Sequence, residues 1–227
     1  MKYQWILFDA DETLFHFDAY SGLKLMFSRF EVDFSQAHFS EYQRLNQPLW
    51  VDYQNGDINA EQLKHKRFEF WASELGVTTA ALNSAFLEAM ADTCALLPGV
   101  ADMLEQLSPH TKMGIITNGF TELQDVRLER TGVAHYFSSL IISEQVGAAK
   151  PSPVIFDYAM DQMGHPDREK VLMVGDNPHS DILGGMKAGM DTCWLNQHGL
   201  DVPEGIQPSY MVRQLDELPA LLLDPQA

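Results

Sequence analysis

The 227-residue sequence predicts an α/β protein: a doubly wound parallel sheet with an all-helical segment inserted after its first strand. Three observations carry this. Apolar runs such as Trp5-Ile6-Leu7-Phe8 and Met113-Gly114-Ile115-Ile116 have no polar face, the mark of strands covered by helices on both sides of a parallel sheet. From Pro98 onward such runs alternate with helical stretches. Between Asp18 and Leu97 the period is helical and no strand-like run occurs.

Taken in order, Trp5–Phe8 forms the first strand and ends in Asp9-Ala10-Asp11-Glu12-Thr13. Asp18 caps a helix through Phe30, and a second helix runs from Ser35 to Gln54 with Pro48 as a point of bending, followed by Gly56. Asn59-Ala60-Glu61-Gln62 resembles a capping box, opening a helix that Gly76 closes. Thr78 or Thr79 starts another, to about Cys94. After Pro98-Gly99 come a helix to Leu107, a strand from Lys112 ending in Thr117-Asn118-Gly119, and a helix to Thr131. A strand at Leu140–Ile142 precedes Gly147-Ala148-Ala149-Lys150-Pro151 and a helix to Met163. The strand Lys170–Val174 ends in Gly175-Asp176-Asn177, and Pro178 opens a helix to Ala188. A strand at Asp191–Leu195, a weak one near Met211 and a terminal helix complete the chain.

Hydrophobic residues make up 45% of the chain, ample for one domain with an insertion or two small domains. With 15 basic against 32 acidic residues the net charge is −17, which excludes a general surface for nucleic acid polymers but not a local cationic spot for a small phosphorylated ligand. No apolar run reaches the length of a membrane span, and the N-terminus lacks the pattern of a signal peptide. Cys94 and Cys193 show no CxxC spacing and read as buried free thiols of a reducing, cytoplasmic setting.

Polar residues recur where strands end: Asp9, Asp11 and Thr13, then Thr117 and Asn118, then Asp176 and Asp181, with Lys150 just before a helix. Ligands of open parallel sheets bind beyond the carboxyl ends of the strands. Taken singly, each has a plain structural reading: a turn at Thr117-Asn118-Gly119, a solvated lysine at 150, helix caps at 176 and 181. Together they supply what phosphoryl transfer requires: a carboxylate nucleophile, an acid for the leaving oxygen, carboxylates for a divalent cation, and hydroxyl, amide and ammonium donors for phosphate oxygens.

In this order, Asp9-x-Asp11-x-Thr13, Thr117-Asn118, Lys150-Pro151 and Gly175-Asp176-(x4)-Asp181 resemble the four motifs of the haloacid dehalogenase superfamily. The resemblance implies a Rossmann-like catalytic core over residues 1–17 and 98–227, with the helical segment 18–97 as a C1-type cap domain. An acid at position 11 matches the phosphatases rather than the dehalogenases. The implied roles are Asp9 as nucleophile and Asp11 as general acid and base; Thr13, Thr117, Asn118 and Lys150 as phosphate-binding; and Asp9, the Asp11 carbonyl and Asp176 as ligands of Mg²⁺, with Mn²⁺ or Co²⁺ as substitutes. Asn177 and Asp181 are implied to act from behind the metal ligands.

The stretches Pro48–Gly56, Ile115–Phe120 and Val126–Gly132 further resemble bacterial pyrimidine 5'-nucleotidases. That implies hydrolysis of nucleoside monophosphates such as dUMP, dTMP and UMP through an aspartyl phosphate, by a cytoplasmic monomer or small homo-oligomer. Trp50 and Tyr53, at i and i+3 of one helix, are the candidates for contact with the base. A sugar-phosphate phosphatase or phosphoglucomutase on the same core is an alternative, as are a phosphonate hydrolase, for which Lys64 and Lys66 are cap-lysine candidates, and a non-catalytic phosphate-binding module.

Overall fold

The computed structural model of the protein describes residues 1–223. In chain order its main elements are β1 (Trp5–Phe8), α1 (Ala19–Ser28), α2 (Gln36–Asn55), α3 (Ala60–Lys66), α4 (Glu69–Leu75), α5 (Thr79–Asp92), α6 (Val100–Leu107), β2 (Lys112–Thr117), α7 (Thr121–Thr131), β3 (Phe137–Ile142), α8 (Ser143–Val146), α9 (Pro153–Gln162), β4 (Val171–Gly175), α10 (Leu183–Lys187), β5 (Asp191–Leu195), β6 (Tyr210–Val212) and α11 (Leu218–Leu223). They divide into two compact units: Met1–His16, Ala95–Gly119 and Thr131 onward form one; Phe17–Cys94 with Phe120–Arg130 form the other.

The first unit holds one six-stranded sheet in the order β3-β2-β1-β4-β5-β6. Every neighbouring pair is parallel, as the two-faced apolar runs require. The pairings Phe8↔Ile115 and Phe8↔Val174 place the end of β1 two residues short of the end of β2 and one short of the end of β4. Trp5, Leu7, Ile116, Ile141, Val171 and Met173 pack with Ile155, Phe156, Ala159 and Met160 of α9 in one buried cluster, which fixes the plane from which the polar loops emerge. The expected strand at Leu140 starts earlier, at Phe137, and the expected helix from Pro178 begins as a π-helical turn, Pro178–Ile182, before α10.

The second unit is all helical. Asp18, Ser35, Asn59 and Thr78 each accept a backbone N–H with the side chain, capping α1, α2, α3 and α5 as expected. The helix α2 continues through Pro48. The single helix expected after Asn59 is instead two, broken at Arg67–Phe68, where the buried Arg67 guanidinium turns onto the Asn83 side-chain oxygen. The boundaries expected at 17/18 and 97/98 shift slightly: Phe17 joins the helical unit, while Ala95–Leu97 belong with the sheet through His16 N–H to Ala95 O and Leu97 N–H to Leu14 O. A larger difference is the helix expected to cross over between β2 and β3. Residues 120–130 belong to the helical unit, where Arg130 pairs with Asp92 at 2.5 Å and Ser84 donates to Glu122 at 3.0 Å. Among the described residues no helix is long and apolar enough to cross a membrane, and Cys94 and Cys193 are free.

Candidate active site

The strand order reverses between β1 and β4: the chain winds outward through β2 and β3 on one side and through β5 and β6 on the other. The crevice beyond the carboxyl ends at such a reversal is where open α/β sheets bind ligands. Asp9 is the first residue after β1 and Asp176 the first after β4, so backbone geometry alone brings these carboxylates together. Asp9 N–H donates to Val174 O at 2.8 Å, tying the two strand ends.

Lys150 reaches this point from the loop before α9. Its side chain is 1% exposed, with Nζ 2.5 Å from Asp9 Oδ1 and 2.7 Å from Asp181 Oδ1. A lysine so buried requires charged partners. Asn118 fixes the lysine's backbone in both directions: Lys150 N–H donates to Asn118 Oδ1 at 2.7 Å, and Asn118 Nδ2 donates to Lys150 O at 3.0 Å. The Asn118 side chain is thus a brace for Lys150. Thr117 is buried, and its hydroxyl oxygen accepts Gly119 N–H at 3.0 Å, which leaves the hydroxyl proton to donate.

Asp176 is held at three atoms. Thr13 Oγ1 accepts Asp176 N–H at 3.1 Å and donates to Asp176 Oδ1 at 3.3 Å, while the buried Trp194 indole N–H donates to Asp176 O at 2.8 Å. Thr13 is 0% exposed. The Thr13 hydroxyl is thereby tied to Asp176, because the β1 and β4 loops lie side by side. The Asn177 side chain caps the Pro178 turn, accepting from His179 and Ser180 N–H, so it orders the loop. Asp181 is 0% exposed and accepts from Asn177 N–H and Ser180 Oγ, both at 3.0 Å. A Cβ at position 175 would collide with that carboxylate, which explains Gly175. The loop after Asp9 contains Glu12 at φ 54, a left-handed conformation costly for a side-chain-bearing residue, and Gln197 Nε2 donates to the Glu12 carbonyl at 3.1 Å. Trp194 and Gln197 were not among the residues expected to serve the site; their only sequence signal is position at and just after the end of the strand beside β4.

Carboxylate oxygens of Asp9, Asp176 and Asp181 lie within 4.8 Å of one another. Three carboxyl groups face one ammonium, and the hard oxygen donors suit a divalent cation of the Mg²⁺ type. Burial, with the charges of Asp181 and Asp11, outweighs Lys150 and pushes Asp9 up to about 7. Burial, then Asp9 and Asp181, push Asp176 up to about 8. For Lys150 burial acts downward, but Asp181 and Asp9 more than offset it, and its pKa rises.

In the helical unit Trp50 and Tyr53 share a face as expected, with centroids 5.8 Å apart. Tyr53 is buried and Trp50 half-buried. The reading of the sequence missed their neighbour Phe120, whose ring lies 5.4 Å from Trp50 and 5.1 Å from Lys64 Nζ. Phe120 follows Asn118 by two residues, so this aromatic group is joined by a very short length of chain to the phosphate-binding candidates.

A sequence profile of haloacid dehalogenase-like hydrolases matches residues 3–189. The chain is 56% identical over 222 residues to the pyrimidine 5'-nucleotidase YjjG of Escherichia coli, covering 98% of this chain and 99% of that protein. It is 33% identical to the pyrimidine 5'-nucleotidase PynA of Streptococcus pneumoniae, over 96% and 94% of the two chains. Among solved structures, the HAD-hydrolase YfnB of Bacillus subtilis, crystallised with magnesium, superposes with a TM-score of 0.83 at 29% identity, over 97% of this chain and 98% of that one.

Proposed function

Because the chain belongs to the haloacid dehalogenase-like hydrolase family, we propose that it is a Mg²⁺-dependent 5'-nucleotidase that releases phosphate from pyrimidine nucleoside monophosphates such as dUMP, dTMP and UMP. The observation that carries this reading is the 56% identity across nearly the whole length to a pyrimidine 5'-nucleotidase. The buried Asp9–Lys150–Asp181 arrangement supports the chemistry.

The Asp9 and Asp176 carboxylates and the Asp11 carbonyl would hold Mg²⁺, with Mn²⁺ or Co²⁺ as substitutes; bound there, the ion neutralises charge on the phosphoryl oxygens. Thr117 Oγ, the Asn118 backbone N–H and Lys150 Nζ bind the phosphate oxygens. An Asp9 carboxylate oxygen bonds to phosphorus as the ester oxygen departs, taking a proton from Asp11. Asp11, now ionised, removes a proton from water as that water attacks the aspartyl phosphate; the Asp9–phosphorus bond breaks and both residues return to their starting forms. Asp181 holds Lys150 toward Asp9. Trp50 and Tyr53, with Phe120, select the base, and residues 18–97 act as the cap domain of a catalytic core at 1–17 and 98–227 that itself recognises only phosphate.

The enzyme is assigned to the cytoplasm, where nucleoside monophosphates occur, as a monomer or small homo-oligomer with no membrane or nucleic acid polymer as partner. The test is kcat/KM of the purified protein for dUMP, dTMP, UMP, dAMP, dGMP and a hexose phosphate, with and without EDTA. The pyrimidine nucleotides should lead and chelation should abolish turnover. A purine nucleotide or hexose phosphate as best substrate overturns the assignment.

A further inference from the structure

We propose that the helical unit carries a second binding site, for a small methylated ammonium ion, built on α2 and α4 and sharing no residue with the catalytic set. Phe70, Trp71, Glu74 and Leu75 recur on one stripe of α4 and, with Val32, His38 and Glu41, line a cavity of about 500 Å³. The Trp71 ring meets Phe70 at 78° with centroids 5.4 Å apart, and His38 at 83° with centroids 5.3 Å apart. The three rings therefore meet edge to face beside the cavity. Trp71 leans at 4.6 Å on Phe27, which stacks on Phe34 at 4.6 Å, so the core fixes it. Phe70 is 54% exposed, a large ring left against solvent beside a cavity.

The charge of the walls decides the class of ligand. No lysine or arginine lines the cavity, and two glutamates do. Arg44 forks onto both oxygens of Glu41, at 2.6 and 3.1 Å, so Glu74 supplies the local negative charge. His38 Nδ1 accepts Ser35 N–H at 3.2 Å, a bond that requires this nitrogen unprotonated. A phosphate or carboxylate ligand is repelled here, and a chain of net charge −17 concentrates cations instead. A bare divalent ion would find too few oxygens among these walls. A neutral apolar ligand would desolvate Glu74 without pairing it. An ammonium dressed in methyl groups satisfies both features: its apolar surface packs on the rings, its charge is drawn to ring faces and to the carboxylate.

The test uses the full-length protein and follows the Trp71 indole N–H by two-dimensional NMR, assigned through Trp71→Phe. Probes are choline, its uncharged isostere 3,3-dimethylbutan-1-ol, and potassium chloride. Choline should shift the Trp71 resonance saturably, and the isostere should bind roughly tenfold more weakly. Phe70→Ala and Glu74→Gln, both on exposed side chains, should each weaken choline roughly three- to thirtyfold while leaving Tm and nucleotide turnover unchanged. Equal binding of the isostere, an equal shift from potassium chloride, or no response to choline overturns the proposal. So does binding only to phosphatidylcholine vesicles without a response to free choline, since that assigns the site to a membrane surface.

Discussion

Trp194→Phe tests the clamp on Asp176 with little change of shape. The indole N–H to Asp176 O bond, 2.8 Å long, links a side chain 1% exposed to the backbone of a metal-binding candidate. Phenylalanine keeps a ring against Ile182 and Ile206 but removes the donor. Leaving that carbonyl without its partner costs about 1–3 kcal/mol, and the smaller ring adds a cavity cost of roughly 1 kcal/mol. A chain of this size loses roughly 2–4 °C of Tm per kcal/mol, so the combined cost of about 2–4 kcal/mol lowers Tm by about 4–16 °C. The two Thr13 bonds to Asp176 survive, so the carboxylate is loosened rather than freed. Roughly 1 kcal/mol of the loss should fall on cation binding, raising the Mg²⁺ Kd about fivefold. Calorimetric titration of the chelator-stripped protein with Mg²⁺ measures this apart from turnover. Thr13→Val, which removes both remaining bonds, should weaken Mg²⁺ further. A Trp194→Phe protein with lowered Tm but unchanged Mg²⁺ Kd would refute the clamp and leave Trp194 as packing only.

Asp9→Asn should abolish turnover with the fold intact, since an amide cannot attack phosphorus; normal turnover by the purified variant refutes covalent catalysis. Asp11→Asn should lose less rate on p-nitrophenyl phosphate than on dUMP, because the better leaving group needs less protonation. Lys150→Met removes the partner of two buried carboxylates and should cost about 3–5 kcal/mol in denaturant unfolding without metal, a loss that added Mg²⁺ partly offsets. Asp9 raised to about 7 and Asp176 to about 8 hold protons in the folded state that the unfolded chain releases near about 4. Their contribution is therefore full at low pH and lost as pH rises through 7 to 8. The metal-free Tm should fall between pH 5 and 8, and the stabilisation by Mg²⁺ should grow over the same range; a flat difference contradicts it. Trp50→Ala should raise KM for dUMP and spare p-nitrophenyl phosphate; equal loss on both substrates makes Trp50 a packing residue.

The strands, their parallel order and the residues at their ends were legible because each is written locally: an apolar run, then a polar residue where the run stops. What spacing along the chain could not show is how a side chain divides its bonds. Nothing local to Thr13 shows that its hydroxyl bonds Asp176, 163 residues away. Trp194 reads as the apolar end of a strand, and only the pairing of β5 with β4 turns its N–H toward Asp176. The helix of residues 120–130 follows a strand and precedes another, so it reads as an ordinary crossover; its attachment to Asp92 and Ser84 is tertiary. The same holds for the break at Arg67, where burial of one guanidinium overrides an uninterrupted helical period.

The membership of residues 120–130 in the helical unit sets how this protein could be recombined with its relatives. The chain passes between the two units at four points, 16/17, 94/95, 119/120 and 130/131, rather than at the two ends of one insertion. A chimera made by exchanging 18–97 alone would carry foreign helices against a resident Phe120 shaped for Trp50, Lys64 and Arg67, and a resident Arg130 deprived of Asp92. Transplanting a new substrate preference therefore calls for two segments moved as a pair, and the second segment begins directly after Asn118-Gly119, so the donor's sequence begins where the phosphate-binding turn ends.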